Sequence, residues 1–79
     1  MSASIRWSLT SNGKSLDVWS PDDFLGAMGR VFGDGPWTLG EGSLSVLRGM
    51  AAVDKNRHNG YGDLIRIIET HGEVKVWAV

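Results

Sequence analysis

The chain has 79 residues, eight basic and nine acidic side chains for a formal net charge of −1, and no cysteine. At this length one compact domain over residues 1–79 is expected, too small for a large buried active-site pocket. Without cysteine there is neither a disulfide nor a thiolate zinc site, so apolar burial must hold the fold together, and interleaved charges leave no strong field to steer nucleic acid. The opening MSASIRW lacks a signal peptide's apolar region and no apolar run approaches a membrane span, which predicts a cytoplasmic protein. Four tryptophans are a high load for so short a chain, and each needs a place in the core or at a contact.

Residues 4–10, SIRWSLT, alternate apolar and polar, with Ile5, Trp7 and Leu9 on one face; the alternation resumes in residues 14–18, KSLDV. Asn12-Gly13 between them is the strongest local signal for a two-residue hairpin turn, because both central positions require positive φ. Closing the hairpin there sets Leu9 opposite Leu16 and Trp7 opposite Val18 on one face, and Arg6 opposite Trp19 and Ser8 opposite Asp17 on the other.

Ser20-Pro21-Asp22-Asp23 then predicts a helix start, with Ser20 as N-cap, Pro21 at the first helical position and two carboxylates in the positive first turn. Phe24, Leu25, Met28, Val31 and Phe32 form its apolar stripe and Gly33 its stop. Gly26 and Gly29 cost this helix about 1 kcal/mol each relative to Ala, which suggests close approach of a neighbour. Residues 33–42, GDGPWTLGEG, read as a loop whose Trp37 and Leu39 tuck back against the core. Ser43 is placed to cap a second helix carrying Leu44, Leu47, Met50, Ala51 and Val53, with the alternation in SLSVL a competing strand signal at its start. The polar stretch DKNRHNG, residues 54–60, leads to a third helix on which Tyr61, Leu64, Ile65 and Ile68 share a face, and Gly72 stops it just after His71. In the closing HGEVKVWAV, Val74, Val76 and Ala78 alternate with Lys75, Trp77 and Val79.

These elements predict an α+β fold of order β-β-α-α-α-β, a three-stranded antiparallel sheet with helices packed on one face and the first strand in the middle. The face away from the helices would then carry Arg6, Asp17, Trp19, Lys75 and Trp77, a composition enriched at protein–protein contacts and the candidate partner-binding surface. Two other readings stand beside this one. An uncovered face can simply tolerate aromatics, with Arg6 stacked over Trp19, or two copies can pack these faces together as a weak dimer. Aromatics beside cations also suit single-stranded nucleic acid, but a dense basic groove is missing and Asp17 lies on the same face, so direct nucleic-acid binding is the runner-up.

No catalytic residue, cofactor site or metal site is nominated by the spacing. His58 and His71 are a whole helix apart with no H-E-x-x-H pattern, and His71 suits the negative end of its helix. Asp22 and Asp23 point in different directions from a first helical turn and are explained by capping rather than as an acid–base pair. The glycines of GDGPWTLGEG match no phosphate-binding loop, and Lys55, Arg57 and His58 read as a solvated basic knot, with an acidic partner surface as the sharper alternative. The reading that remains is a non-enzymatic binding protein acting through surface complementarity with a larger macromolecular partner.

In its size, its lack of a catalytic motif and its α+β layout, and in the C-terminal YGDLIRIIETHGEVKVW, the chain resembles the small accessory proteins of phages and mobile elements, including anti-CRISPR inhibitors. The resemblance is one of protein type and carries over no functional residue. It implies binding to a CRISPR effector complex in the host cytoplasm, a block on target DNA recognition, and no cofactor.

Overall fold

The computed structural model describes residues 4–53 and 60–79. Strands β1 (Ser4–Ser11) and β2 (Lys14–Pro21) are followed by helix α1 (Phe24–Phe32), strand β3 (Trp37–Gly40), one 3-10 turn (Glu41–Ser43), helix α2 (Leu44–Val53), helix α3 (Tyr61–His71) and strand β4 (Glu73–Ala78). The antiparallel sheet has four strands in the order β2-β1-β4-β3.

The hairpin forms as its turn chemistry dictates. Asn12 and Gly13 both take positive φ, and the pairing runs unbroken from Ser11–Lys14 to Ser4–Pro21, with Leu9 against Leu16 and Trp7 against Val18. Strand β1 is central, as expected, flanked by β2 and β4. The fourth strand corrects the expected loop over residues 33–42: Trp37 and Leu39 do bury, but as the inward positions of a strand paired with β4, Trp37 opposite Val76 and Leu39 opposite Val74. That makes β3, not β4, the second edge.

The start of α1 also differs from expectation. Ser20 does not cap it, because its hydroxyl is fully buried and accepts a 2.6 Å hydrogen bond from the Trp7 indole N–H. Strand β2 therefore continues through Pro21, where an edge strand can do without the missing donor. The helix begins at Phe24, and the Asp23 carbonyl accepts from the Ala27 N–H at 2.9 Å. A Cβ at Gly26 would meet only the Arg30 guanidinium at an ordinary 3.7 Å and one at Gly29 nothing within 4 Å, so the expected close approach is not the reason for either. Gly33 and Gly72 end α1 and α3 as read, both at positive φ and donating to the carbonyl four residues back.

One side of the sheet carries the core. Trp7, Leu9, Val18, Trp37, Leu39, Val74 and Val76 meet Phe24 and Met28 of α1, Leu47 of α2, and Tyr61, Leu64 and Ile68 of α3. At its centre Trp7 stacks on Phe24 with ring centroids 4.8 Å apart, and Phe24 in turn meets Tyr61 at 4.9 Å. Gly60 closes this cluster from above. It sits at φ +84°, and a Cβ on it would fall 2.5 Å from the Ser20 hydroxyl and 2.6 Å from the Trp7 ring, so glycine is required on both counts. An Arg48–Glu69 ion pair of 2.5 Å joins α2 to α3.

Leu16, Val31 and Val53 were expected inside and are exposed instead. Leu16 lies on the edge strand close to the hairpin tip, outside the helical cover, although its partner Leu9 one strand inward is buried. The Ile5 side chain and the basic knot of Lys55, Arg57 and His58 lie outside the described residues.

Candidate docking surface

Because side chains alternate along a strand, the register that buries Trp7, Leu9, Val74 and Val76 sends their neighbours to the other face of the sheet. The pairings arrange these neighbours in rows across the strands. One row runs Asp17–Ser8–Trp77, another runs Ser15–Thr10–Lys75–Thr38, and Trp19 lies opposite Arg6. Val79 continues that last row, its N–H donating to the Arg6 carbonyl at 3.2 Å.

Three of the five residues singled out in the sequence form one connected group. The Arg6 guanidinium donates to Asp17 Oδ2 at 2.7 Å and sits 5.6 Å from the Trp19 ring centroid, while the Ser8 hydroxyl donates to Asp17 Oδ1. Held by the Ser8 hydroxyl first and by the Arg6 charge as well, and against some desolvation, the Asp17 carboxyl is kept below its ordinary value of 3.8. Its ionised state fixes Arg6 in place, and Arg6 in turn lies against Trp19, so an exposed aromatic is presented in a defined pose rather than loosely. Trp19 remains 56 % exposed.

Lys75 and Trp77 form a second group, two strands away from Trp19 or roughly 10 Å. Together with Pro36, Trp37 and Thr38 they line a shallow depression of about 400 Å³, and a neighbouring one of about 370 Å³ lies between Trp77, Pro36, Gly35 and Leu25. Pro36, Trp37 and Trp77 line both hollows. Lys75 has no ion pair among the described residues and supplies an unopposed cation at the rim. Pro36 and Thr38 were not nominated from sequence; they reach this surface because β3 is a strand, and the alternation in Trp37-Thr38-Leu39 was the available signal. The two groups are bridged by Ser8, which lies opposite both Asp17 and Trp77.

The other named residues do not join this surface. His71 Nδ1 accepts a 2.8 Å hydrogen bond from the Asn12 side-chain amide, tying the end of α3 to the hairpin turn. Among the described residues, no three His, Asp or Glu side chains are grouped so as to hold a metal, and no helix is long and apolar enough to cross a membrane. On the helical side, a groove of about 340 Å³ runs between α1 and the ends of α2 and α3, lined by Phe24, Arg30, Val31, Met50 and Tyr61 among others. Burial, and then the nearby Asp23 charge, push the Tyr61 phenol up, with Arg30 opposing.

No family model, curated protein or solved structure matches the chain.

Proposed function

We propose that this chain is a non-enzymatic binding protein that docks through the uncovered face of its sheet onto a larger protein or ribonucleoprotein complex and blocks it. The observation that carries this reading is the placing of two tryptophans beside charge on an uncovered sheet face. Trp19 lies against Arg6, itself paired with Asp17, at one end, and at the other Trp77 borders two hollows beside Lys75, which has no ion pair among the described residues. Tryptophan and arginine dominate binding energy where they can be desolvated, and restraint before contact lowers the ordering cost of binding. The resemblance to anti-CRISPR inhibitors names the partner class: a guide-loaded CRISPR effector complex whose recognition of target DNA is blocked.

The test uses a panel of purified, guide-loaded effector complexes and a fluorescent target duplex. The account expects the chain to suppress duplex binding by one of them, and Trp19→Ala and Trp77→Ala to weaken that effect by roughly 30-fold while remaining folded, the loss expected of a contact centre. Equal inhibition by both folded variants would reject the surface. Affinity for the bare duplex or for single strands that falls steeply with salt would replace this reading with nucleic-acid binding.

A further inference from the structure

Leu16 is left unexplained by the isolated chain: a leucine on the helix side of the sheet that is 49 % exposed. It lies on β2, an eight-residue edge with no strand on its outer side among the described residues. Free edges are templates for strand pairing, and proteins commonly blunt them with lysine, proline or a bulge. On β2 the lysine and the proline stand only at the two ends, Lys14 and Pro21, the charge between them, Asp17, is paired within the chain with Arg6 and Ser8, and the pairing with β1 is unbroken.

The hairpin geometry settles which backbone groups face outward. In a two-residue turn the flanking pair, Ser11 and Lys14, exchanges both hydrogen bonds, and the pattern alternates from there. Lys14, Leu16, Val18 and Ser20 therefore direct their backbone groups to β1, whereas Ser15, Asp17 and Trp19 direct theirs away from the sheet. The Val79 N–H bond to the Arg6 carbonyl agrees, since it requires Arg6 to face β4 and so leaves Trp19 opposite it without β1 as a backbone partner.

We infer that β2 pairs antiparallel with β2 of a second copy, about a two-fold axis passing beside Leu16, to give one continuous eight-stranded sheet. Three antiparallel registers satisfy the outward groups near the centre of the strand. Centring on Asp17 would set two ionised carboxylates directly opposite each other, which is destabilising. Centring on Val18 leaves Leu16 facing a buried Ser20 and sets Pro21, which has no N–H, against Ser15. Centring on Leu16 places the two exposed leucines against each other and the Ser15 hydroxyl opposite the Asp17 carboxylate, with Ser15 and Asp17 of each copy exchanging four backbone hydrogen bonds. Only this register covers the exposed leucine with its own kind. The axis stands perpendicular to the sheet, so both uncovered faces look the same way and the docking surface is doubled, not buried.

The chain contains no cysteine, so single cysteines report the register directly. Leu16→Cys is expected to form a disulfide-linked dimer under mild oxidant, while Ser15→Cys, displaced from the axis and on the other face, stays monomeric at the same concentration. The mass of the unmodified chain by sedimentation should rise with concentration. Ser15→Pro, which removes an outward N–H, no backbone bond to β1 and one exposed side-chain bond to Thr10, should abolish that rise with an unchanged circular dichroism spectrum. A chain that stays monomeric throughout the concentration series, or Leu16→Cys cross-linking no faster than Ser15→Cys, would overturn the inference. If Ser15→Pro unfolds, the two cysteine variants still decide it.

Discussion

Two tryptophans on the same hairpin, Trp7 and Trp19, meet opposite fates, and the difference is one of strand parity. Trp7 is fully buried, stacked on Phe24 and hydrogen-bonded to Ser20, whereas Trp19, on the next strand and the opposite face, is more than half exposed with Arg6 against its ring. The side chain is identical, but one indole has every group satisfied inside the chain and the other has an unsatisfied surface held in a fixed pose. The lesson is that a small sheet covered on one side divides its aromatics into those that hold the fold together and those available to a partner, and a single slip of register would exchange them.

The largest effect should come from the covered side. Gly60→Ala places a methyl group into the Trp7–Ser20 contact at a backbone angle that side chains resist, and the loss should be comparable with the whole stability of a domain this size, about 3–5 kcal/mol. Urea denaturation should find this variant largely unfolded without denaturant. Ser20→Ala, which leaves the buried indole N–H of Trp7 without an acceptor, should cost about 1–3 kcal/mol in the same measurement. On the uncovered side, Trp19→Ala should shift the urea midpoint by no more than about 0.5 kcal/mol in stability. Such a variant would keep the fold and lose the partner, whereas Ser20→Ala should lower stability and leave the side chains of the docking surface in place.

The smallest effect is one of pH. Because the folded state holds the Asp17 carboxyl below its ordinary 3.8, its contribution is complete above that value and is lost as pH falls through the lowered one. Acid titration of Asp17→Asn should therefore show a slightly shallower loss of stability below pH 3.8 than the unmodified chain. An identical acid limb would mean that Ser8 and Arg6 do not hold this carboxylate in solution.

Much of this division was legible in the sequence, because it depends on local chemistry. Asn12-Gly13 fixes the turn, the turn fixes the register, and the register alone assigns Trp7 to the core and Arg6, Asp17 and Trp19 to the other face. What could not be read locally was decided by distant partners. Ser20 is a good helix cap by type, but the Trp7 indole thirteen residues away claims its hydroxyl, and α1 starts later as a result. The alternation in Trp37-Thr38-Leu39 is the one local strand signal there and is outweighed by the surrounding glycines and proline; pairing with β4 makes it a strand and brings Pro36 and Thr38 to the surface beside Trp77. Leu16 follows the apolar pattern faithfully and is exposed all the same, because alternation tells which face a residue takes and not whether anything covers that face.

The most direct test of the central claim sets the two sides of the molecule against each other in one binding assay. Affinity for the proposed partner complex is measured for the folded Trp19→Ala variant and for the folded Val31→Ala variant, which removes an exposed apolar side chain from the helical side. The account predicts that Trp19→Ala binds roughly 30-fold more weakly and that Val31→Ala binds like the unmodified chain. Loss of binding in Val31→Ala, with Trp19→Ala unaffected, would place the contact on the helices and contradict it.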